Sequence, residues 1–225
     1  MENDVKEFLS ELLKQLKSID YIKPEDIPNI DLYMDQVTTF MDEQLAASKR
    51  YESDKILTKT MINNYAKNNL LPSPDKKKYS KEHVLTLLFI YYFKNILSIN
   101  DIRSILNPLT EKYFGNDDGF TMQDVYTEVF SLEAEESQKL LKDLGKKYKI
   151  AGETFEDFPD EDQKFLHTFS FICMLSFDVY IKKKRLLPMK IHIQEKKAKK
   201  QAQINEPVFF PYDKLILFVR AILHA

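Results

Sequence analysis

Leu57 to Leu106 reads LTKTMINNYAKNNLLPSPDKKKYSKEHVLTLLFIYYFKNILSINDIRSIL, and this stretch decides the fold. Apolar side chains at three- and four-residue spacing predict a short helix at its start and a strongly apolar helix from Lys81 to Leu97. Between these helices, Pro72 to Pro74 and three consecutive lysines indicate a loop. Asn69 is a suitable left-handed end for the first helix, because Asn tolerates positive φ better than most residues. The stretch therefore predicts a helix, a basic loop and a buried helix in succession.

The short helix has two chemically different faces. Met61, Ile62 and Tyr65 form an apolar face, whereas the opposite side carries hydroxyl, ammonium and amide groups. Such groups can bond to base edges and phosphates in the major groove of DNA. The predicted DNA contacts on this helix are Thr58, Lys59, Thr60, Asn63, Asn64 and Lys67.

The loop that follows is strongly basic. Residues 49–82 carry nine Lys or Arg and four Asp or Glu, a balance of +5, whereas residues 1–47 carry four basic and eleven acidic residues, a balance of −7. A local positive surface of this kind fits contact with phosphate. The loop residues Lys76, Lys77 and Lys78 are therefore predicted to contact the DNA backbone. Ser80 would cap the apolar helix.

The order of these features resembles the DNA-binding head of the MerR family. The shared pattern is a helix ending in Asn-Tyr, the run Leu-Leu-Pro, a basic loop, Tyr-Ser-x-Glu-His before an apolar helix, and a Ser-Ile-x-Asp-Ile-x-x-Ile-Leu helix. More closely, the chain resembles a group of uncharacterised bacterial proteins with a MerR-like helix-turn-helix and the run LTKTMINNY. The resemblance includes DLYMDQV at residues 31–37 and covers roughly residues 24–108.

The resemblance implies that residues 24–112 form a MerR-like, winged helix-turn-helix domain. A helix from Leu32 to Ala46 would be its first helix, and the helix of Lys59 to Lys67 would enter the major groove. The loop of Lys76 to Tyr79 would be a wing on the phosphates. A homodimer is also implied, since heads of this type bind two half-sites.

The composition is that of a globular, mostly α protein. Of 225 residues, 44% are hydrophobic and 30% are charged, which excludes wholesale disorder. The single cysteine, Cys173, excludes an intrachain disulfide and a cysteine-based zinc cluster, which fits a reducing compartment. The acidic start, with no apolar run behind it, predicts that there is no signal peptide. A cytoplasmic location is therefore expected.

Outside the head, the chain is predicted to be helical. Residues 1–23 contain an amphipathic helix, and residues 113–225 form a helical region for dimerisation or effector binding. The GNDDG turn at Gly115–Gly119 marks the internal boundary. This turn is not an EF-hand loop, because Phe114 and Val125 occupy positions where calcium needs carboxylates. No metal site and no cofactor are predicted. His83 is expected to be a surface or capping residue.

Phe165 to Ile181 is the second strongly apolar segment. It is short for a membrane span and contains polar residues such as Asp178, so we predict a buried core helix or a dimer helix. The basic tract at residues 182–200 is either a further phosphate contact or a solvated helix end. Residues 189–194 alternate enough to predict a short strand, and residues 209–223 predict a closing helix.

The sequence contains no nucleophile with an adjacent base, no glycine-rich phosphate loop and no zinc-protease motif, so an enzyme is not expected. The leading hypothesis is a DNA-binding transcriptional regulator. Its partners would be double-stranded DNA, a second copy of the chain and a possible small-molecule effector. The alternative is a helical protein-interaction module with a degenerate helix-turn-helix that does not bind DNA. The acidic balance outside residues 49–82 supports this alternative.

Overall fold

The computed structural model describes residues 21–49, 51–116 and 119–202, together with the isolated positions 7, 10, 11 and 14. The chain divides into two compact units, Met1–Lys190 and Ile191–Ala225. In the second unit the described residues, 191–202, are helical. Most of the predicted N-terminal helix and all of the predicted helix at residues 209–223 lie outside the described residues.

The described chain is mostly helical, which confirms the predicted class. Two-residue strands β1 (Leu32–Tyr33) and β2 (Lys78–Tyr79) pair antiparallel, with Leu32 opposite Tyr79 and Tyr33 opposite Lys78. The helices of the described residues are α1 Met34–Gln44, α2 Lys59–Lys67, α3 Lys81–Lys94, α4 Ile99–Tyr113, α5 Met122–Ser131, α6 Glu133–Gly152 and α7 Asp160–Ala202.

The first helix begins later than the sequence indicated. Leu32 and Tyr33 form strand β1 instead of the first turn, and helix α1 begins at Met34. The capping geometry explains the difference. The backbone N–H of Tyr33 donates to Gln36 Oε1 at 2.8 Å, which satisfies an orphan donor at the helix start while Tyr33 itself stays extended. A two-residue strand is too short to give a recognisable alternation in the sequence.

The hydrophobic core is built around α3. Every residue from His83 to Tyr91 is buried, as expected for a helix that is apolar nearly all round. Helix α5 closes one side of this core. Tyr126 is fully buried, its ring centroid lies 5.5 Å from that of Phe89, and its hydroxyl donates to the backbone oxygen of Ile22 at 2.8 Å. One core therefore includes α5, which lies beyond the boundary predicted at residues 115–119.

Helices α6 and α7 form an antiparallel hairpin. The ring of Tyr148 meets Phe171 edge-on at 5.4 Å, and Lys147 pairs with Asp178. His167 Nε2 lies 2.8 Å from the backbone oxygen of Thr154, at the turn between the helices. The hairpin holds α7 along one face only.

One prediction for this region is wrong, and another is wrong in one of its two alternatives. Residues 189–194 belong to the continuous helix α7 and not to a strand. Phe165 to Ile181 is not a buried core helix, since Phe165 is 69% exposed and Phe177 is also 69% exposed. In the described residues, Glu161–Leu186 is a helical stretch long and apolar enough to cross a membrane by length and composition alone.

Candidate nucleic-acid interface

Helix α2 has well-defined ends. The Thr58 side chain accepts a hydrogen bond from the Met61 backbone N–H at 3.2 Å and caps the start of the helix. At the other end Asn69 adopts φ +55°, as predicted, and the Leu70 N–H donates to the Tyr65 oxygen at 2.9 Å. This Schellman geometry stops the helix and turns buried Leu70 back into the core.

The two faces predicted for α2 are present. Ile62 and Tyr65 are buried, and their burial fixes the rotation of the helix about its axis. The opposite side is open to solvent over the whole length of the helix. Its exposed residues are Lys59, Thr60, Asn63, Asn64 and Lys67, with Thr58 partly exposed at the start.

The long connector between α1 and α2 is held to the core by polar contacts. The Ser48 hydroxyl bonds to the Tyr91 hydroxyl, and Lys94 Nζ donates to the backbone oxygen of Ile56 at 2.7 Å. Partial burial lowers the pKa of Lys94. Because Tyr91 and Lys94 both lie on α3, these contacts fix the connector against α3. The position of α2 is therefore defined although the connector is long.

The basic loop contains a tight turn at Asp75–Lys78, here called the lysine turn. The Lys78 N–H donates to the Asp75 oxygen at 2.7 Å, and the central residues Lys76 and Lys77 have φ of +46° and +67°. Positive φ at both central positions is the geometry of a type I′ turn, for which Asn-Gly is the favoured sequence. Lysine in this conformation costs roughly 1 kcal/mol per residue. Both lysine side chains are exposed.

The last two residues predicted to form the wing have different environments. Lys78 is partly buried, and its Nζ lies 5.5 Å from the centroid of the Tyr33 ring, a cation–π contact. Tyr79 is only 4% exposed and belongs to the hydrophobic core. Burial raises the pKa of its phenol. Tyr79 therefore anchors the lysine turn and does not form part of the exposed basic surface.

The start of α1 connects the lysine turn to α2. Asp35, in the first turn of α1, forms an ion pair with Lys59 at the start of α2. Tyr33, two residues earlier, lies under Lys78. The predicted reader and the predicted wing thus meet the same few residues of β1 and α1, and they lie at one corner of the molecule.

One cation at this corner has no counterpart among the sequence-based predictions. Arg103 of α4 places Nη1 3.5 Å from the Asn68 oxygen at the end of α2, and its Nη2 donates to Asn100 Oδ1 at 2.8 Å. The guanidinium thus lies beside the carbonyl end of the helix, where a positive charge is favourable. No sequence motif places Arg103 near α2, because the contact depends on how α4 packs.

His83 is buried beneath the lysine turn. Its ring meets Tyr79 edge-on at 5.5 Å, and its Nδ1 accepts the Ser80 N–H at 3.0 Å, so that His83 caps α3 as predicted but does so from inside the core. Burial lowers the pKa of His83 below its usual value near 6.5, an effect opposed by the carbonyls of Ser73 and Pro72. The capping bond requires a neutral ring, since a protonated Nδ1 cannot accept a hydrogen bond.

Because the capping bond needs a neutral His83, the free energy of unfolding should fall as the pH is lowered. Below pH 6.5 the unfolded chain takes up a proton that the folded chain resists, so unfolding becomes easier by up to about 1.4 kcal/mol per pH unit. Chemical denaturation between pH 7.5 and 5.0 measures this slope. His83→Gln is the matched control, because glutamine can accept the Ser80 N–H without titrating. If both proteins lose stability equally with falling pH, His83 is not the responsible group.

Among the described residues, no group of three or more His, Cys, Asp or Glu side chains is arranged to hold a metal ion. Beside the carboxylate of Asp35, the exposed side chains of α2 and the lysine turn offer amide, hydroxyl and ammonium groups. These groups suit polyanion and base-edge contacts.

Comparison with known proteins gives one match. A family model described as "Domain of unknown function (DUF1836)" matches residues 22–129, the part of the chain that contains the core from Ile22 to α5. No curated protein and no solved structure matches. The resemblance to the MerR family is therefore wrong, since the matching model is a domain of unknown function and no MerR or helix-turn-helix family is found.

Proposed function

We propose that residues 21–131 form a DNA-binding module and that the protein is a transcriptional regulator of the cytoplasm. The exposed face of α2 enters the major groove, and the lysine turn lies along the phosphate backbone. In this arrangement α1 supports α2, as in a helix-turn-helix, and the lysine turn acts as a wing. Double-stranded DNA is the ligand, and two copies of the module read two half-sites. A small-molecule effector stays a prediction.

One observation carries the proposal. The basic and polar groups expected to touch DNA come from two separate segments, α2 and the lysine turn, and Lys59 and Lys78 both contact residues of β1 or the start of α1. A groove reader and a backbone clamp must lie side by side to engage one duplex. The shared corner meets this requirement.

The lysines of this surface differ in how freely they can contact phosphate. Lys59 is paired with Asp35, but both side chains are more than half exposed. An exposed pair contributes 0 to about 1 kcal/mol, so phosphate can replace Asp35 at small cost. Lys67, Lys76 and Lys77 are exposed, and Lys76 and Lys77 project from a strained turn. Strain retained at an exposed charged position is a pattern typical of functional sites.

The salt dependence of binding tests the proposal. Titration of the full chain into a mixture of genomic DNA fragments should give an affinity that falls linearly on a log–log plot. The expected slope is about −0.9 for each phosphate neutralised, or roughly −4.5 for the five basic side chains of this surface: Lys59, Lys67, Lys76, Lys77 and Lys78. Sequencing the retained fragments identifies the preferred site. A slope near zero, or no binding at 50 mM salt, rules the proposal out.

A second candidate function is supported by the rim of the same corner. Ile30 is 65% exposed and Tyr33 is 54% exposed, and they alternate with the acidic residues Asp31 and Asp35. Exposed apolar side chains beside acids favour a protein partner over a polyanion. In that case residues 21–131 are a protein-interaction module. Binding to such a partner would be lost in Ile30→Asp and Tyr33→Asp variants, while charge removal from the lysine turn would have little effect.

A further inference from the structure

The apolar face of α7 is the largest feature of the described chain that the DNA-binding proposal does not use. Successive residues of an α-helix turn by about 100°. Phe171, Met174 and Asp178 therefore share one side of α7, and this side lies against α6. The opposite side of α7, which points away from α6, is here called the outer face.

The outer face is apolar and open to solvent. Its large side chains are each more than half exposed, although an exposed apolar patch of this extent is rare on a monomeric protein. Between them lie the smaller Thr168, Cys173 and Ser176, which are also exposed. The large residues of the outer face are Phe165 (69%), Phe169 (52%), Ile172 (53%), Val179 (63%) and Tyr180 (56%).

Opposite charges flank the outer face along the helix. Glu161 and Asp162 lie before Phe165, and Lys183 and Lys184 lie after Tyr180. All four are exposed. At about 100° per residue, Asp162 and Lys183 project from the same side as the apolar residues between them.

We propose that the outer face of α7 binds the outer face of a second copy of this chain, in antiparallel orientation. The centre of the apolar stretch lies between Ile172 and Cys173. A two-fold axis there sets Glu161 of one copy beside Lys184 of the other, and Asp162 beside Lys183. The two-fold axis forms each of these attractive pairs twice, so the outer face is complementary to itself, as a two-fold interface requires. Parallel pairing would instead set lysine against lysine.

A lipid bilayer fits the same face less well. Helix α6 runs beside the apolar part of α7, with Lys147 paired to Asp178 and with Lys146 and Lys149 exposed. Insertion of α7 would carry these lysines toward hydrocarbon, where a charged side chain is strongly disfavoured. A second copy covers only the outer face and leaves α6 in water.

The dimer also bears on the regulator function without resting on it. The outer face belongs to α7 and is not part of the proposed DNA-binding surface, so association can be measured in the absence of DNA. A chain that dimerises but does not bind DNA refutes only the DNA-binding proposal, and a monomer that binds DNA refutes only the dimer.

Sedimentation of the full chain without DNA tests the interface. We expect a dimer at micromolar concentration, and Ile172→Glu, which sets two carboxylates face to face at the axis, should weaken it at least about 30-fold. Val129→Glu is the control, because Val129 is similarly exposed (48%) but lies on α5. A monomeric parent, or a dimer unaffected by Ile172→Glu, overturns the proposal. So does recovery of the chain on vesicles of neutral and anionic phospholipid instead of as a dimer.

Charge reversal tests the orientation. Lys183→Glu with Lys184→Glu should weaken an antiparallel dimer, because it sets carboxylate against carboxylate where attractive pairs stood. A parallel dimer would change little, because like charges would still face each other at each end. Adding Glu161→Lys and Asp162→Lys to the same chain should restore association. Cross-linking with a short bismaleimide gives a second readout of association through the outer face, since Cys173 is the single cysteine and is exposed. Failure of the four-fold swap to restore the dimer contradicts antiparallel pairing.

Discussion

Replacing Lys76 by Asn and Lys77 by Gly should weaken DNA binding while making the protein more stable. Two charges are removed from the surface proposed to contact phosphate, so the log–log salt slope should become shallower by about 1.8 and the affinity at 0.1 M salt should fall roughly 60-fold. At the same time Asn-Gly is the preferred pair for a type I′ turn. Relief of the two positive-φ lysines should raise the free energy of unfolding by about 1–2 kcal/mol.

The opposite signs make this result hard to explain by damage to the fold. Fluorescence anisotropy at several salt concentrations measures the binding, and urea denaturation measures the stability. Lys142→Asn with Lys146→Asn is the matched control, because it removes the same charge from exposed positions on α6. An unchanged slope in the turn variant, or an equal loss in the α6 variant, would show that the lysine turn is not a phosphate contact.

Tyr126→Ala should unfold the protein or bring it close to unfolding. Tyr126 is fully buried, packs against Phe89 and Phe130, and donates its hydroxyl to the Ile22 oxygen at 2.8 Å. Truncating a buried aromatic side chain costs about 3–5 kcal/mol, a large part of the 5–15 kcal/mol that stabilises a typical domain. The lost hydroxyl would also leave the Ile22 carbonyl without this donor.

Two further variants separate the contributions of the ring and the hydroxyl. Tyr126→Phe should cost about 1 kcal/mol, since it removes only the hydrogen bond. Val129→Ala, on the same helix but 48% exposed, should cost under about 0.5 kcal/mol. Thermal and urea unfolding of the three variants give the comparison. If Tyr126→Ala unfolds like the parent protein, α5 is not part of the common core.

The elements that follow local rules could be predicted from the sequence. Helix α2, its left-handed end at Asn69, the apolar helix α3 and the Ser80 cap depend on neighbours within a few residues. The two faces of α2 follow from helical periodicity alone. These features define most of the exposed surface proposed to bind DNA.

Features that depend on distant contacts could not be predicted. Strand β1 forms because Leu32 meets Tyr79 in space, and the burial of Tyr79 follows from the same pairing. Arg103 reaches the end of α2 only because α4 packs there. The apolar composition of Phe165–Ile181 predicted either a buried core helix or a dimer helix, and within the chain α6 covers only one side of it. Composition reports how apolar a helix is and not how many neighbours it has.

The pairing of β1 with β2 ties the proposed DNA-binding surface to the cooperativity of folding. Leu32 and Tyr79 lie 47 positions apart in the chain, and α1 and α2 lie within the loop that their pairing closes. Contacts so distant in sequence form late and are lost early, since closing a long loop costs conformational entropy before the new contacts contribute stabilising free energy. In a partly synthesised or locally opened chain, α2 would therefore lack the lysine turn beside it. The proposed ability to bind a DNA duplex would then arise in a single step, together with the native state.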